Sequence, residues 1–284
     1  MPPEDPELRN DQGWAWDPSL YAGSARFYPV GRVAYPAELA DALVSAVPLD
    51  GSGLLLDVGC GPGSLTLLLA PYVAAAIGVD ADADMLTEAA RLADQQHVSN
   101  VTWRHLRGED LPADLPAPRV VTFAQSFHWM DRPRVAAAVR RMLAPGGALV
   151  HVGAVTHEGV DSDRELPHPR PPRQAIDLLV QRYLGPQRRA GHGARPKWTH
   201  GDEDDVYRGA GFEGPLRLEV PGRVVERRTE EIVASVYSLS SSAPHLFANR
   251  LKDFDQDLRQ LLAEAAGGGP FSEEMRSIEL DVWR

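Results

Sequence analysis

Leu54-Leu55-Leu56-Asp57-Val58-Gly59-Cys60-Gly61-Pro62-Gly63, followed after a short leucine-rich run by Ala76-Ile77-Gly78-Val79-Asp80, is the stretch that decides the fold. Leu54–Val58 is an apolar run broken only by Asp57, the pattern of a central parallel strand buried on both faces. Gly59, Gly61 and Gly63 follow, where a missing Cβ lets the backbone turn sharply and approach a ligand. Ser64–Ala70 reads as a short, nearly all-apolar helix stopped by Pro71, and Ala74–Val79 as a second buried strand ending in Asp80. Strand, glycine loop, helix, strand and terminal carboxylate make a nucleotide-binding βαβ unit.

The glycine spacing separates the candidate nucleotides. A dinucleotide fingerprint G-x-G-x-x-G beginning at Gly59 requires glycine at position 64, which is Ser64. The pattern present is D-x-G-x-G-x-G with Asp57 at its head, and it resembles motif I of the class I S-adenosylmethionine-dependent methyltransferases. The alternative is a tight turn in some other α/β protein, with Asp57 capping a helix. The resemblance implies that S-adenosyl-L-methionine is the cofactor. It implies that the loop backbone at Asp57, Gly59, Cys60, Gly61 and Gly63 lies against its methionine and ribose portions. It also implies that Asp80, with Ala81 beside it, receives the ribose hydroxyls.

Around this centre the motifs continue. Tyr28-Pro-Val-Gly-Arg32-Val-Ala-Tyr35-Pro36 resembles the segment ahead of the core in the trans-aconitate methyltransferase-like group. There Tyr28 and Arg32 would cover the cofactor and hold its carboxylate, and a guanidinium makes a charge-assisted fork to such a group. The alternative is a surface segment with Arg32 in solvent. On the predicted helix Asp82–Ala93, Met85 is a core residue and, by resemblance, an apolar contact to the adenine. Arg107-Gly108-Glu109-Asp110-Leu111-Pro112 is similar to the family's turn flanking the adenine amino group, but Arg107 stands where the family has an acidic residue. Gly108, Glu109 or Asp110 would substitute for it. After the buried strand Val120–Ala124 comes Gln125, then Ser126-Phe127-His128-Trp129-Met130-Asp131, close to the signature following the fourth strand in the same group. This loop is at the carboxyl end of a central strand, where open α/β sheets bind ligands. His128 is the chemical candidate, against a structural role in fixing the loop; Trp129 reads as packing.

Pro133–Leu143 is a predicted helix, and Ala144-Pro145-Gly146-Gly147 turns into the strand Ala148–Ala154. Thr156–Gly211 then breaks the rhythm with six prolines, a predicted helix Gln174–Tyr183, a Gly/Arg-rich stretch and an acidic cluster at Asp202–Asp205. By resemblance it is a cap over the pocket. Asp161 to Lys197 holds eight basic and four acidic residues, a balance fitting either a solvated lid or the steering of an anionic substrate. Gly214–Val220, Arg223–Glu226 and Arg276–Arg284 read as strands, and Thr229–Leu239 (Thr229 as N-cap) and Leu251–Ala266 as helices. Ser238–Ser242 is similar to a serine-containing segment near the substrate mouth in this group, without a nucleophile elbow.

The expected fold is a doubly wound Rossmann-like α/β sheet with an inserted helical cap, and the resemblance implies seven strands with the last antiparallel, which Arg276–Arg284 could supply. The expected division is 1–154 for the N-terminal segment and cofactor half, 155–211 for the cap and 212–284 for the remaining core. A net charge of −11 over 284 residues argues against a nucleic-acid partner. The single cysteine excludes an internal disulfide, and the histidines show no metal-ligand spacing, so no metal is expected. With no secretory segment and no long apolar run, the sequence reads as cytoplasmic, off the membrane, and a monomer or homodimer. Met1–Asn10, polar and Pro-rich, is expected to fray. The function implied is methyl transfer to a small molecule, at a carboxylate or hydroxyl oxygen. The alternatives are an N- or C-methyltransferase, or a pericyclase-like protein that binds the cofactor without methylating.

Overall fold

The computed structural model describes residues 17–186, 189–190, 193–194 and 202–284. The expectations for Met1–Asn10 and for the Gly/Arg-rich part of the 155–211 stretch through Lys197 fall wholly or largely outside the described residues.

Seven strands form the main sheet: β1 Leu54–Val58, β2 Ala75–Asp80, β3 Val101–His105, β4 Val120–Ala124, β5 Ala148–Gly153, β6 Leu216–Val220 and β7 Ile278–Trp283. Their order is β3-β2-β1-β4-β5-β7-β6. β1 to β5 are parallel, and β7 runs antiparallel between β5 and β6. The period of two along each strand divides the apolar residues between the faces. Leu55, Val120 and Val150 pack with Leu39, Leu43 and Leu69 on one side, while Leu56, Val121 and Leu149 pack with Val135, Val139 and Tyr207 on the other. Both faces are thus covered by helices, which is why the central strands read as continuous apolar runs. The chain order reverses between β1 and β4, so their carboxyl ends, Val58 and Ala124, open onto the crevice of the sheet.

A third apolar cluster lies apart from the sheet. It joins Ile176 and Leu184 of helix Arg173–Leu184, Ile232 and Tyr237 of helix Thr229–Tyr237, and Phe254, Leu258 and Leu262 of helix Leu251–Ala266. The Phe247 and Phe254 rings stack with centroids 4.0 Å apart at its middle. Helices from two separated stretches thus pack together off the sheet, and much of 212–284 lies with them and not in the sheet. Conversely, helix Glu203–Gly209, inside the stretch 155–211, plants Tyr207 in the sheet core. Val224–Arg227 also leaves the sheet and pairs antiparallel with Phe271–Glu274. The cap position of helix Thr229–Tyr237 is Arg228, one residue before the expected Thr229, and its N–H donates to Glu231 Oε2 at 2.7 Å.

One buried ion cluster joins helix Arg173–Leu184 to the paired strands Val224–Arg227 and Phe271–Glu274. Glu273, 3% exposed, accepts from Arg173 Nη2 at 2.8 Å and from Arg227 Nη1 at 3.2 Å. Arg227 Nη2 also donates to Gly31 O at 2.7 Å. The turn Tyr28–Gly31 is pressed so closely on helix Thr229–Tyr237 that a Cβ on Gly31 would fall 2.3 Å from the Ala234 carbonyl carbon.

Candidate functional site

The glycine loop is folded around two aspartates with opposite duties. Asp57, on β1 and 1% exposed, accepts from Thr66 Oγ1 at 2.6 Å and from Thr122 Oγ1 at 2.7 Å. Burial pushes its carboxyl up, and each oxygen holds a threonine, tying β1 to β4 and to helix Ser64–Leu69. Asp80, at the end of β2, accepts from Gly61 N at 2.7 Å and from Asp82 N at 2.8 Å. Burial raises its carboxyl to about 6, and each oxygen retains a lone pair toward the space in front of the loop.

The three glycines answer three different requirements. All have positive φ, where a Cβ is strained. A Cβ on Gly59 would lie 2.5 Å from Ser126 Cβ, and one on Gly63 would lie 2.4 Å from the Trp103 ring. Gly61 meets nothing within 4 Å, so its missing side chain faces open space. Gly63 thus serves packing and does not line the cavity.

That space is a cavity of about 420 Å³ at the crevice of the sheet, within the ~300–1,000 Å³ range of small-molecule sites. Of the residues singled out from sequence, Tyr28, Arg32, Asp57, Gly59, Cys60, Gly61, Asp80, Ala81, Met85, Gly108, Glu109 and Gln125 line it. Gly63, Asp110 and His128 do not. Asp110 is turned to Arg107, whose Nε and Nη2 donate to its two oxygens at 3.1 and 2.9 Å, and those bonds pull its carboxyl below the usual range. Arg107 itself lines the wall. His128 packs beside Trp129, ring centroids 5.0 Å apart, and it is Trp129 that faces the cavity, edge-on to Tyr21 at 6.0 Å. The roles expected of these two neighbours are therefore exchanged in position. Cys60 is buried and its thiol is pushed well up by burial, which leaves it unreactive.

Tyr21, Tyr35, Arg107, Trp129, Met130 and Thr156 also line the wall and were not singled out from sequence as contacts. Tyr35 could have been, since it belongs to the same quoted pattern as Tyr28 and Arg32. Its hydroxyl accepts from Gln125 Nε2 at 2.9 Å, across the mouth of β4. Gln125 holds a positive φ of 58° there, a strained turn of the kind that concentrates at ligand sites. Among the described residues no group of three or more His, Cys, Asp or Glu could hold a metal.

Residues 55–147 match the methyltransferase domain family. Over these residues, about a third of the chain, the sequence is similar to that family. An uncharacterised methyltransferase of Mycobacterium tuberculosis (Rv3342) is 35% identical over 151 residues, 53% of this chain and 58% of the relative. Trans-aconitate 2-methyltransferase of Azoarcus sp. is 37% identical over 112 residues, 38% of this chain and 41% of that protein. The chain thus spans about half the length of the curated relatives it matches. Among solved structures, the YcgJ protein of Bacillus subtilis superposes with a TM-score of 0.51 at 17% identity, covering 88% of this chain and 99% of that one, a likeness of fold. The methyltransferase family implies S-adenosylmethionine as the methyl donor, and the cavity fits it. Asp80 is a half-buried carboxylate with acceptor capacity for two vicinal hydroxyls, Gly61 leaves the space before it clear, and Met85 and Leu106 offer an apolar wall for a base.

Proposed function

We propose that this chain transfers the sulfonium methyl of S-adenosylmethionine to an oxygen of a small molecule, a carboxylate in preference to a hydroxyl. The cofactor supplies an electrophilic methyl group on a positively charged sulfur. What the chain's own residues supply is placement in a recessed cavity, which can account for much of the acceleration of such a displacement. Asp80 and the Gly61 backbone would hold the ribose, and Arg32 the amino-acid carboxylate.

The observation that carries the choice of acceptor is the chemistry of the wall. No histidine lines the cavity among the described residues. The carboxylates Asp57 and Asp80 are bound to their own loops, and Glu109 Oε1 accepts from Asp131 N at 2.8 Å. The phenols of Tyr21 and Tyr35 are pushed up by burial, away from use as bases. Asp80, raised to about 6, is taken up by the loop N–H groups and the ribose in this reading, so no free base is left for the acceptor, which suits one that is already anionic, as a carboxylate with a pKa of about 4 is. Similarity to a protein named for trans-aconitate, a carboxylic acid, supports the same choice. The chain's net charge of −11 supports a small acceptor over a nucleic acid.

The test is methyl transfer from labelled S-adenosylmethionine to a panel of small carboxylic acids and phenols. With a carboxylate acceptor, turnover at saturation stays nearly flat from about pH 6 to 8, and His128→Gln costs only a few-fold, below the 10²–10⁴ range of general-base loss. A steep acid limb that disappears in His128→Gln would replace this reading with a hydroxyl acceptor and a histidine base. Tight cofactor binding without transfer to any acceptor would favour a non-methylating role.

A further inference from the structure

Arg32 enters the cavity held on three sides. Its guanidinium carbon lies 4.5 Å over the Tyr28 ring, which covers one face. Nε donates to Ser238 Oγ at 2.9 Å and Nη2 to Ser238 O at 3.2 Å, so one edge is taken by a single residue at the end of helix Thr229–Tyr237. Nη1 lies 3.4 Å from Nδ1 of His157, on the segment leaving β5. Burial and the two nearby arginines lower the His157 pKa, and the neutral ring can accept at Nδ1 while Nε2, 3.5 Å from Glu158 Oε1, carries the proton. Three of the five guanidinium N–H groups are thus assigned, and one remains on each terminal nitrogen. Among the described residues no carboxylate pairs with Arg32, although it is a cation in the wall of a partly buried site. The two uncommitted donors form the pair that a carboxylate takes bidentately.

We propose that Ser238 and His157 are positioning residues that lock Arg32 so that its remaining two-pronged edge receives a carboxylate in the cavity. Both come from elements outside the glycine-loop unit. Ser238 ends a cap helix, and His157 is anchored through its carbonyl by Arg173 Nη2 at 2.9 Å and Arg227 Nη1 at 3.2 Å, the two arginines of the Glu273 cluster. The carboxylate pocket is therefore assembled where cap and core meet. The inference rests on the proposed methyltransferase reading, and the carboxylate can belong to the cofactor's amino-acid portion or to the acceptor.

Two ligands separate the possibilities: S-adenosylhomocysteine and 5′-methylthioadenosine, which keeps the adenosine but has no carboxylate. Calorimetric affinities are measured for wild type, Arg32→Lys, Ser238→Ala, His157→Ala and His157→Asn. The expected result is loss of S-adenosylhomocysteine affinity, on the order of a hundredfold in Arg32→Lys and tenfold in Ser238→Ala and His157→Ala, with methylthioadenosine unchanged. His157→Asn, whose amide oxygen can replace Nδ1 as acceptor, should restore most of the loss. If S-adenosylhomocysteine binding is unaffected but the loaded variants lose binding of trans-aconitate as a carboxylate probe, the proposal stands with the acceptor as the source. A parallel loss of both adenosine ligands, or no change for any carboxylate, overturns it. Wild-type protein that binds neither adenosine ligand overturns the methyltransferase reading itself, and the carboxylate pocket with it, whereas unchanged affinity ratios overturn the positioning role alone.

Discussion

Asp80 is held in its folded position by two backbone N–H groups yet would be easier to bury protonated. Its carboxyl is raised from 3.8 to about 6, so the folded, ligand-free protein binds this proton more tightly than the unfolded chain does. The associated stability is therefore fully present below about pH 4 and is lost as pH rises to about 6, a difference of roughly 3 kcal/mol by linkage. Hydroxyl donors from a ribose favour the ionised form, so S-adenosylhomocysteine should bind more tightly as pH rises from 5 to 7 and then level off. In Asp80→Asn that dependence should vanish; a wild-type affinity that stays constant across the range would remove Asp80 from the ribose site. At this scale the sequence was informative where position alone assigns a role, as for an acid ending the second strand. It was silent where orientation does. His128 and Trp129 are consecutive in the short turn Phe127–Trp129, and only the folded turn decides which of them faces the cavity.

The glycine loop shows how one element divides its labour. Gly61→Ala places a Cβ into open space at a φ of 54°, so it should cost only about 1–2 kcal/mol of stability but several-fold or more in cofactor affinity. Gly63→Ala drives a Cβ into the Trp103 ring at a φ of 78°, and should cost more stability while leaving the affinity of the folded fraction nearly intact. Urea unfolding combined with ligand titration checks both, and the reverse order of effects would refute the assignment. The strands and the sheet helices were legible in advance because buried parallel strands and capped amphipathic helices leave strong local patterns. Asp82 is an example, its Oδ1 accepting from Asp84 N and Met85 N. What a helix packs against leaves no such mark. Leu251–Ala266 has an apolar stripe and a terminal Gly267 whether it covers the sheet or the cap, so its place in the third cluster could not be read from spacing.

Over the whole molecule, the Glu273 cluster joins helix Arg173–Leu184 to the strands Val224–Arg227 and Phe271–Glu274 and, through the His157 carbonyl, to the segment leaving β5. Removing the carboxylate leaves Arg227, 2% exposed, and Arg173 without their common partner. Glu273→Ala should cost about 3–5 kcal/mol in urea unfolding, the scale for breaking a buried ion pair from one side. It should also weaken S-adenosylhomocysteine binding, because Arg227 holds the turn that carries Arg32. A loss below about 1 kcal/mol would show that the cluster is not the joint. The charge balance of the cap segment could not have revealed this joint, since Arg227 and Glu273 lie outside that segment and meet only in the paired strands Val224–Arg227 and Phe271–Glu274.

The central claim is that the glycine loop and Asp80 form an S-adenosylmethionine site and not a dinucleotide site. The direct measurement is calorimetric titration of the wild-type protein and Asp80→Ala with S-adenosylhomocysteine, alongside NADH and NADPH. The account predicts one site for S-adenosylhomocysteine, weakened by about 1.5–3 kcal/mol in Asp80→Ala, the scale of hydrogen bonds to a charged group, with no binding of either nicotinamide cofactor. Binding of a nicotinamide dinucleotide in place of S-adenosylhomocysteine, or an affinity unchanged in Asp80→Ala, would contradict it.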